Sequence, residues 1–431
     1  MKPVKAFLIL FLAFSSGCRN SPPQGPSGEA LSKKSPSSVG MSRERLDKIE
    51  AMLQASVDKG EIPGAVALIV RKGGIVLHEP FGYADYASQR EMTRDAIFRI
   101  ASQSKAITST AVMILWEEGR FRLDDPISDY IPEFKNPQVL ESFNEADSTY
   151  TSRPAEKEIS IRHLLTHTSG IGYGVIDGDE RIRKIYAKAG IVDLYTTEDI
   201  PIGDNIKKLA ALPLHHDPGA SFTYSEGLDV LGYFIEIVSG MPFDEFLQTR
   251  LFEPLGMDDT GFYLDIDKAE RLVTVQRPVE NGWEKYPVTF YDTDYPIKGA
   301  KRFFSGGAGL CSTARDYAIF LQMYLNGGRY NGVRILSPTT IRSIMGDQMG
   351  IPLGDSGYYY GLAFGVVTPK GEALGGTGTA GTFDWGGYFN TQYFADPEEK
   401  VIGVLMKQTQ GLPKDDTGWK FRQMTFASIE E

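Results

Sequence analysis

Ser102-Gln103-Ser104-Lys105 sets a hydroxyl and an amine three residues apart, where an apolar stretch passes into a helical one. On a helix, positions i and i+3 share one face. A serine hydroxyl is a weak nucleophile at its free pKa and needs a neighbouring base, and a lysine held in a dry pocket can serve. The pair Ser102 and Lys105 therefore suits acyl transfer; a helix cap beside a solvated lysine is the plainer reading of the same spacing. Two further segments carry groups that could complete a site. Tyr224-Ser225-Glu226 follows the turn-like His216-Asp217-Pro218-Gly219-Ala220 and precedes a helical stretch at 228–238, so Tyr224 either faces a cleft or packs as a core aromatic. Trp385-Gly386-Gly387 stands just before a strand, where paired glycines either admit a substrate to exposed backbone or mark a β-bulge.

The elements around these residues follow from periodicity. A helix is expected after Ser42, with Leu46, Ile49, Leu53 and Val57 at helical spacing and Gly60 as its end. Strand-like runs at 65–70 and 75–78 are joined by Arg71-Lys72-Gly73-Gly74, which predicts a hairpin. Residues 105–119 read as a buried helix through Ile107, Val112, Met113, Leu115 and Trp116, and such burial would desolvate Lys105. From about 123 to 300, helical patterns at 161–165, 228–238 and 243–251 alternate with long polar stretches. Two of these, 136–157 and 173–204, are long enough to close over a site as lids. After Pro338 come one helix, strand-like runs at 362–367, 387–394 and 401–406, and a final helix from Gly418. The simplest architecture is an α/β (α+β) fold. An antiparallel sheet built from both chain ends, residues 41–100 and 301–431, is flanked by helices, and 101–300 forms a mainly helical insertion domain with the active-site loops.

Bulk properties narrow the function. With 42% hydrophobic and 23% charged residues among 431, the chain can bury a large core. A formal net charge of −11 and no long basic run argue against nucleic acid as a partner. Two cysteines, Cys18 and Cys311, offer no disulfide framework. At the N-terminus, Lys2 and Lys5 precede an apolar run at 6–14, too short to span a membrane, that ends in Ser15-Ser16-Gly17-Cys18. That junction resembles the bacterial lipoprotein processing site. It implies a signal peptide over 1–17, a lipid anchor on Cys18, and a place in the bacterial cell envelope, or secretion if Cys18 is not lipidated. Residues 18–40, rich in Ser, Pro and Gly, read as a flexible tether.

Three competing signals are weak. Gly376-Thr377-Gly378-Thr379-Ala380-Gly381 matches the dinucleotide fingerprint, but turn and strand follow it rather than a helix. His163 and His167 have zinc-like spacing, yet Leu164 stands where the catalytic glutamate of H-E-x-x-H belongs, which favours structural hydrogen bonding. No G-x-S-x-G pentapeptide marks an α/β-hydrolase nucleophile. Neither a metal nor a cofactor is expected.

Ser102-x-x-Lys105, Tyr224-Ser225 and Trp385-Gly386-Gly387, in that order, resemble the three boxes of the serine β-lactamase and penicillin-binding-protein superfamily. The resemblance runs from about 41 to 410 and is nearest the branch of class C β-lactamases and family VIII carboxylesterases. Phe98-Arg99-Ile100-Ala101, the segment from His163 to Gly170, and Ser305-Gly306-Gly307-Ala308-Gly309-Leu310 share it. It implies that Ser102 attacks an ester or amide carbonyl, that Lys105 and Tyr224 share the proton traffic, and that the backbone N–H groups of Ser102 and Tyr388 form the oxyanion hole. Glu226, Trp385, Gly386 and Gly387 would meet the substrate.

Two departures bear on the substrate. Glu226 stands where the family's second box carries Asn, and Trp385 stands where its third box begins with Lys or His. A cation there would pair with a substrate carboxylate, which tryptophan cannot do, so a carboxylesterase is the preferred reading. A D-alanyl peptide or D-amino-acid amide hydrolase and a β-lactamase stand as alternatives. A non-catalytic envelope protein that binds cell-wall peptide stands as a third, with Glu226 as its main support.

Overall fold

The computed structural model describes residues 30–351, 353–354, 357–375 and 378–431. The two chain ends meet in the middle of one sheet, where Gly64–Arg71 pairs antiparallel with Val401–Met406, Val66 opposite Met406 and Arg71 opposite Val401. Outward on one side lie Gly74–Asp85 and the two-residue strand Ser32–Lys33; on the other lie Thr391–Asp396, Phe383–Gly387, Gly365–Val367 and Tyr358–Tyr360. All these neighbours are antiparallel except Ser32–Lys33, which runs parallel to Gly74 and Ile75. Both central strands are buried along their whole length, and their sequences are continuous apolar runs rather than alternating ones. Helices Arg43–Asp58 and Thr417–Ala427 cover one face through Leu46, Ile49, Leu53 and Phe421. The other face carries Val66, Leu68 and Val70 into the main core with the helix Ser104–Glu117.

That helix is buried at every position from Ser104 to Leu115. It contains hydroxyls as well as apolar groups, and each hydroxyl finds an acceptor or partner: Thr108 donates to the Gly306 carbonyl, Ser109 to Leu362 and Thr110 to Ala106. A buried polar group needs such a partner to avoid a desolvation cost of about 1–3 kcal/mol.

Several expectations need correction. The tether stops short of Gly40: Leu31 is buried, its N–H donates to the Tyr330 hydroxyl, and Ser32–Lys33 joins the sheet. Cys18, the signal segment and the tether to residue 29 lie outside the described residues. The run at 387–394 is not one strand, because a turn at 388–390 with Asn390 at φ 72° folds it into the hairpin Phe383–Gly387 and Thr391–Asp396. In the run at 362–367 only Gly365–Val367 is strand. The polar stretch at 136–157 is no free loop but the hairpin Gln138–Asn144 with Thr149–Pro154. The stretch at 173–204 contains the helix Glu180–Ala189. Among the described residues, no helix is long and apolar enough to cross a membrane.

Candidate active site

Ser102 sits at a strand-to-helix turn. Phe98–Arg99 pairs with Cys311–Ser312, and the Ile100 N–H donates to the Leu310 carbonyl at 3.0 Å. Ala101 then takes φ 46°, a left-handed conformation costly for any residue with a Cβ, and the chain turns through Ala101–Gln103 into the helix. The turn leaves Ser102 half-buried and reachable, whereas Gln103, Ser104 and Lys105 are enclosed.

Lys105, with no exposed surface, has three polar partners. Its Nζ lies 3.4 Å from Ser102 Oγ, 2.9 Å from Tyr173 Oη and 2.8 Å from the Gly307 carbonyl. It also stands 4.6 Å from the centre of the Tyr224 ring. The Gly307 carbonyl is delivered by the glycine-rich segment after Ser305, which runs so close to the helix Gly227–Ser239 that a Cβ on Gly306 would strike the Leu228 carbonyl and one on Gly307 the Asp229 carboxylate. Asp229 fixes that segment by accepting from Ser305 Oγ at 2.5 Å and from the Gly307 N–H at 3.2 Å.

Tyr173 was not among the expected residues. It follows the segment from His163 to Gly170 and stands between Gly172 and Gly174, each so close to a carboxylate, Asp177 and Asp193 respectively, that no Cβ would fit. A lone aromatic between two glycines inside a long polar stretch was the signal available. Burial above all, reinforced by Tyr224 and by Asp229, pushes the Tyr173 hydroxyl well above the usual phenol range, so it keeps its proton.

Tyr224 lines the same space, half-buried, with its ring 5.5 Å from that of Tyr173. Its hydroxyl accepts from the Trp385 indole N–H at 3.4 Å, and its ring packs 4.6 Å from His167. His167 Nδ1 accepts from the Ser225 N–H at 3.2 Å, which ties the second box to the histidine segment. Burial first, then Lys105, drives the His167 pKa far down, so this imidazole is a neutral support. His163 instead accepts the Ser160 N–H on Nδ1 in a capping box. Both histidines are thus engaged in hydrogen bonds, and among the described residues no cluster could hold a metal.

The third box ends the strand Phe383–Gly387. A Cβ on Gly387 would lie 2.5 Å from the Ile100 carbonyl, so glycine lets this strand end press against the backbone leading to Ser102. Tyr388 follows at once, and among the described residues its N–H donates to no protein group. A cleft of about 290 Å3 opens beside Gly387 and Tyr388, between Asn390, Thr409 and Leu412. Trp385 is half-buried, its ring 5.2 Å from Tyr360 and 5.9 Å from Tyr224. Gly386 beside it has only ordinary contacts.

Glu226 does not line this space as expected of a substrate-binding residue. It precedes the helix Gly227–Ser239, is 2% exposed, and lies against Asp193. Of the fingerprint-like glycine run, Gly376 and Thr377 lie outside the described residues, and the rest turns into a strand rather than a helix N-terminus.

The beta-lactamase family profile matches residues 49–424. Esterase EstB of Burkholderia gladioli is 30% identical over 380 residues, covering 84% of this chain and 90% of that one. Protein Rv1367c of Mycobacterium tuberculosis is 34% identical over the same share of each. Among solved structures, EstCE1, described as a hydrolase with promiscuous acyltransferase activity, superposes with a TM-score of 0.74 at 25% identity, covering 89% of this chain and 99% of that one. The family match over most of the chain, with relatives at 30–34% identity across it, shows that the chain belongs to the beta-lactamase family of serine hydrolases.

Proposed function

We propose that this hydrolase is a carboxylesterase that works through an acyl-Ser102 intermediate. The observation that carries the reading is Lys105 Nζ, enclosed and held between the Gly307 carbonyl and Tyr173 Oη, with its remaining direction toward Ser102 Oγ. In its base form the amine donates to those two oxygens and turns its lone pair to the serine hydroxyl. Ser102 Oγ then bonds to the ester carbonyl carbon while its proton passes to Lys105. The N–H groups of Ser102 and Tyr388 receive the oxyanion, an arrangement in which one donor is worth about 2.7–4 kcal/mol. Tyr224 stands beside the amine and delivers the proton to the leaving alkoxide, closing the relay. Water hydrolyses the acyl-enzyme by the reverse traffic.

Trp385, packed on Tyr224 and Tyr360, supports neutral esters over carboxylate-bearing β-lactams and peptide termini. The names of EstB and of the lovastatin esterase of Penicillium rubens, 28% identical over 379 residues, agree with ester chemistry. Comparing kcat/KM on p-nitrophenyl butyrate, nitrocefin and a D-Ala-D-Ala peptide tests the reading. Faster turnover of either the β-lactam or the peptide would overturn it. The lipid anchor on Cys18, and with it the cell envelope as location, belongs to the same proposal; metabolic labelling with palmitate, lost in Cys18→Ala, is its test.

A further inference from the structure

The turn that carries Tyr173 is held almost entirely by carboxyl groups. Gly174 and Val175 donate their N–H groups to Asp193 Oδ1 and Oδ2 at 3.0 and 2.7 Å, and Tyr173 N–H donates to Asp177 Oδ2 at 2.7 Å. Gly172 donates to Tyr186 Oη at 3.1 Å and accepts the Glu226 N–H at 3.1 Å. The Glu226 side chain is within hydrogen-bonding reach of both Asp193 and the Gly174 amide, and its Oε1 is buried without a partner. Glu226 is 2% exposed and Asp193 8%, and among the described residues no lysine or arginine pairs with either. A carboxyl as enclosed as that of Glu226, set against a second carboxyl, keeps its proton, because a negative charge there would be both desolvated and repelled.

We propose that the Glu226 carboxyl donates its proton in a hydrogen bond to Asp193 and that the two act as positioning residues. Their hydrogen bond ties the turn at 172–175 to the start of the helix Gly227–Ser239 and so keeps Tyr173 Oη on Lys105 Nζ. The inference rests on the reading that Lys105 serves Ser102 as base. The groups facing Glu226 are Asp193 from the 191–198 segment, Asp229 from its own helix, Tyr173 from the turn and Tyr186 from the helix Glu180–Ala189. None is a cation, and burial followed by Asp193 holds Glu226 protonated well beyond the usual carboxyl range. Raising the pH until that proton leaves sets two negative charges together and releases the turn.

The test is a kinetic cycle on ester hydrolysis by the full chain, with Ser102→Ala measured first. Glu226→Gln keeps a hydrogen-bonded partner that cannot ionise, so kcat near neutral pH stays within about threefold of the parent and the alkaline limb of the profile moves upward by about a pH unit or more. Glu226→Ala lowers kcat about tenfold with KM within about twofold, but costs less than about twofold in a Tyr173→Phe background, because both changes remove the same contact. Equal losses in the two backgrounds, or a Glu226→Gln profile identical to the parent's, would overturn the proposal. If Glu226→Ala does not fold, the Glu226→Gln profile decides alone. Turnover surviving in Ser102→Ala would instead sink the acyl-serine reading, while the cycle would still report whether Glu226 acts through Tyr173.

Discussion

Replacing Tyr173 by Phe isolates one oxygen. The ring stays, and with it the 5.5 Å contact to Tyr224 and the 5.4 Å approach of Lys105 Nζ to the Tyr173 ring centre. Lost is the 2.9 Å bond to Lys105, which leaves the amine anchored only by the Gly307 carbonyl and free to swing off its line to Ser102. A hydrogen bond involving a charged group contributes about 1.5–3 kcal/mol. If that energy is realised as the amine takes up the serine proton, kcat falls about 10- to 100-fold at one decade per 1.36 kcal/mol. KM should hold within about twofold, because the hydroxyl faces Lys105 rather than the cleft beside Gly387. Steady-state hydrolysis of p-nitrophenyl butyrate at pH 7 and 25 °C, with folding checked by circular dichroism, reads both constants. A kcat within twofold of the parent would refute the argument that Tyr173 orients the base.

Tyr224→Phe removes the assigned proton donor to the leaving group, so kcat on an ethyl ester falls about 10²- to 10⁴-fold while the p-nitrophenyl ester, whose leaving group needs no proton, loses far less; parallel assays on the two esters measure the gap. Gly307→Ala forces a Cβ onto the Asp229 carboxylate and destabilises the fold by about 1–3 kcal/mol, visible as a lower urea midpoint. His163 is half-buried and neutral, its pKa held down at about 4 by burial first and by Lys157 next, against the usual value near 6.5. Its contribution is present above about 6.5 and lost as pH falls through 4, so His163→Gln, which preserves the capping box, should flatten the acid loss of stability by about 2 kcal/mol after allowance for partial exposure. Urea titrations at pH 7 and 4.5 give the difference.

What the sequence disclosed was whatever is local. The pair Ser102 and Lys105 is set by one helical turn, the run at 401–406 by uninterrupted apolar residues, and the hairpin after Gly64 by Lys72 and Gly73, which take φ 49° and 75°. The antiparallel joining of the chain ends followed from strand runs at both ends around a helical middle. What stayed hidden depends on contacts distant in the chain. Tyr173 reaches Lys105 across 68 positions, and nothing near it in sequence says that its hydroxyl points at an amine. Glu226 looked like a substrate ligand because its neighbours fit a box, whereas Asp193, 33 positions earlier, draws it inward. The strand break at 388–390 was missed because Tyr388 and Phe389 favour strands while Asn390 alone signals the turn.

Every step of the proposed hydrolysis passes through Ser102 as the nucleophile. Incubating the protein with a fluorophosphonate and mapping the adduct by peptide mass spectrometry, alongside p-nitrophenyl butyrate turnover, tests this directly. The predicted result is one equivalent of label on the peptide bearing Ser102, with label and turnover both absent from a folded Ser102→Ala variant. Label on another residue, or turnover that survives in Ser102→Ala, would contradict it.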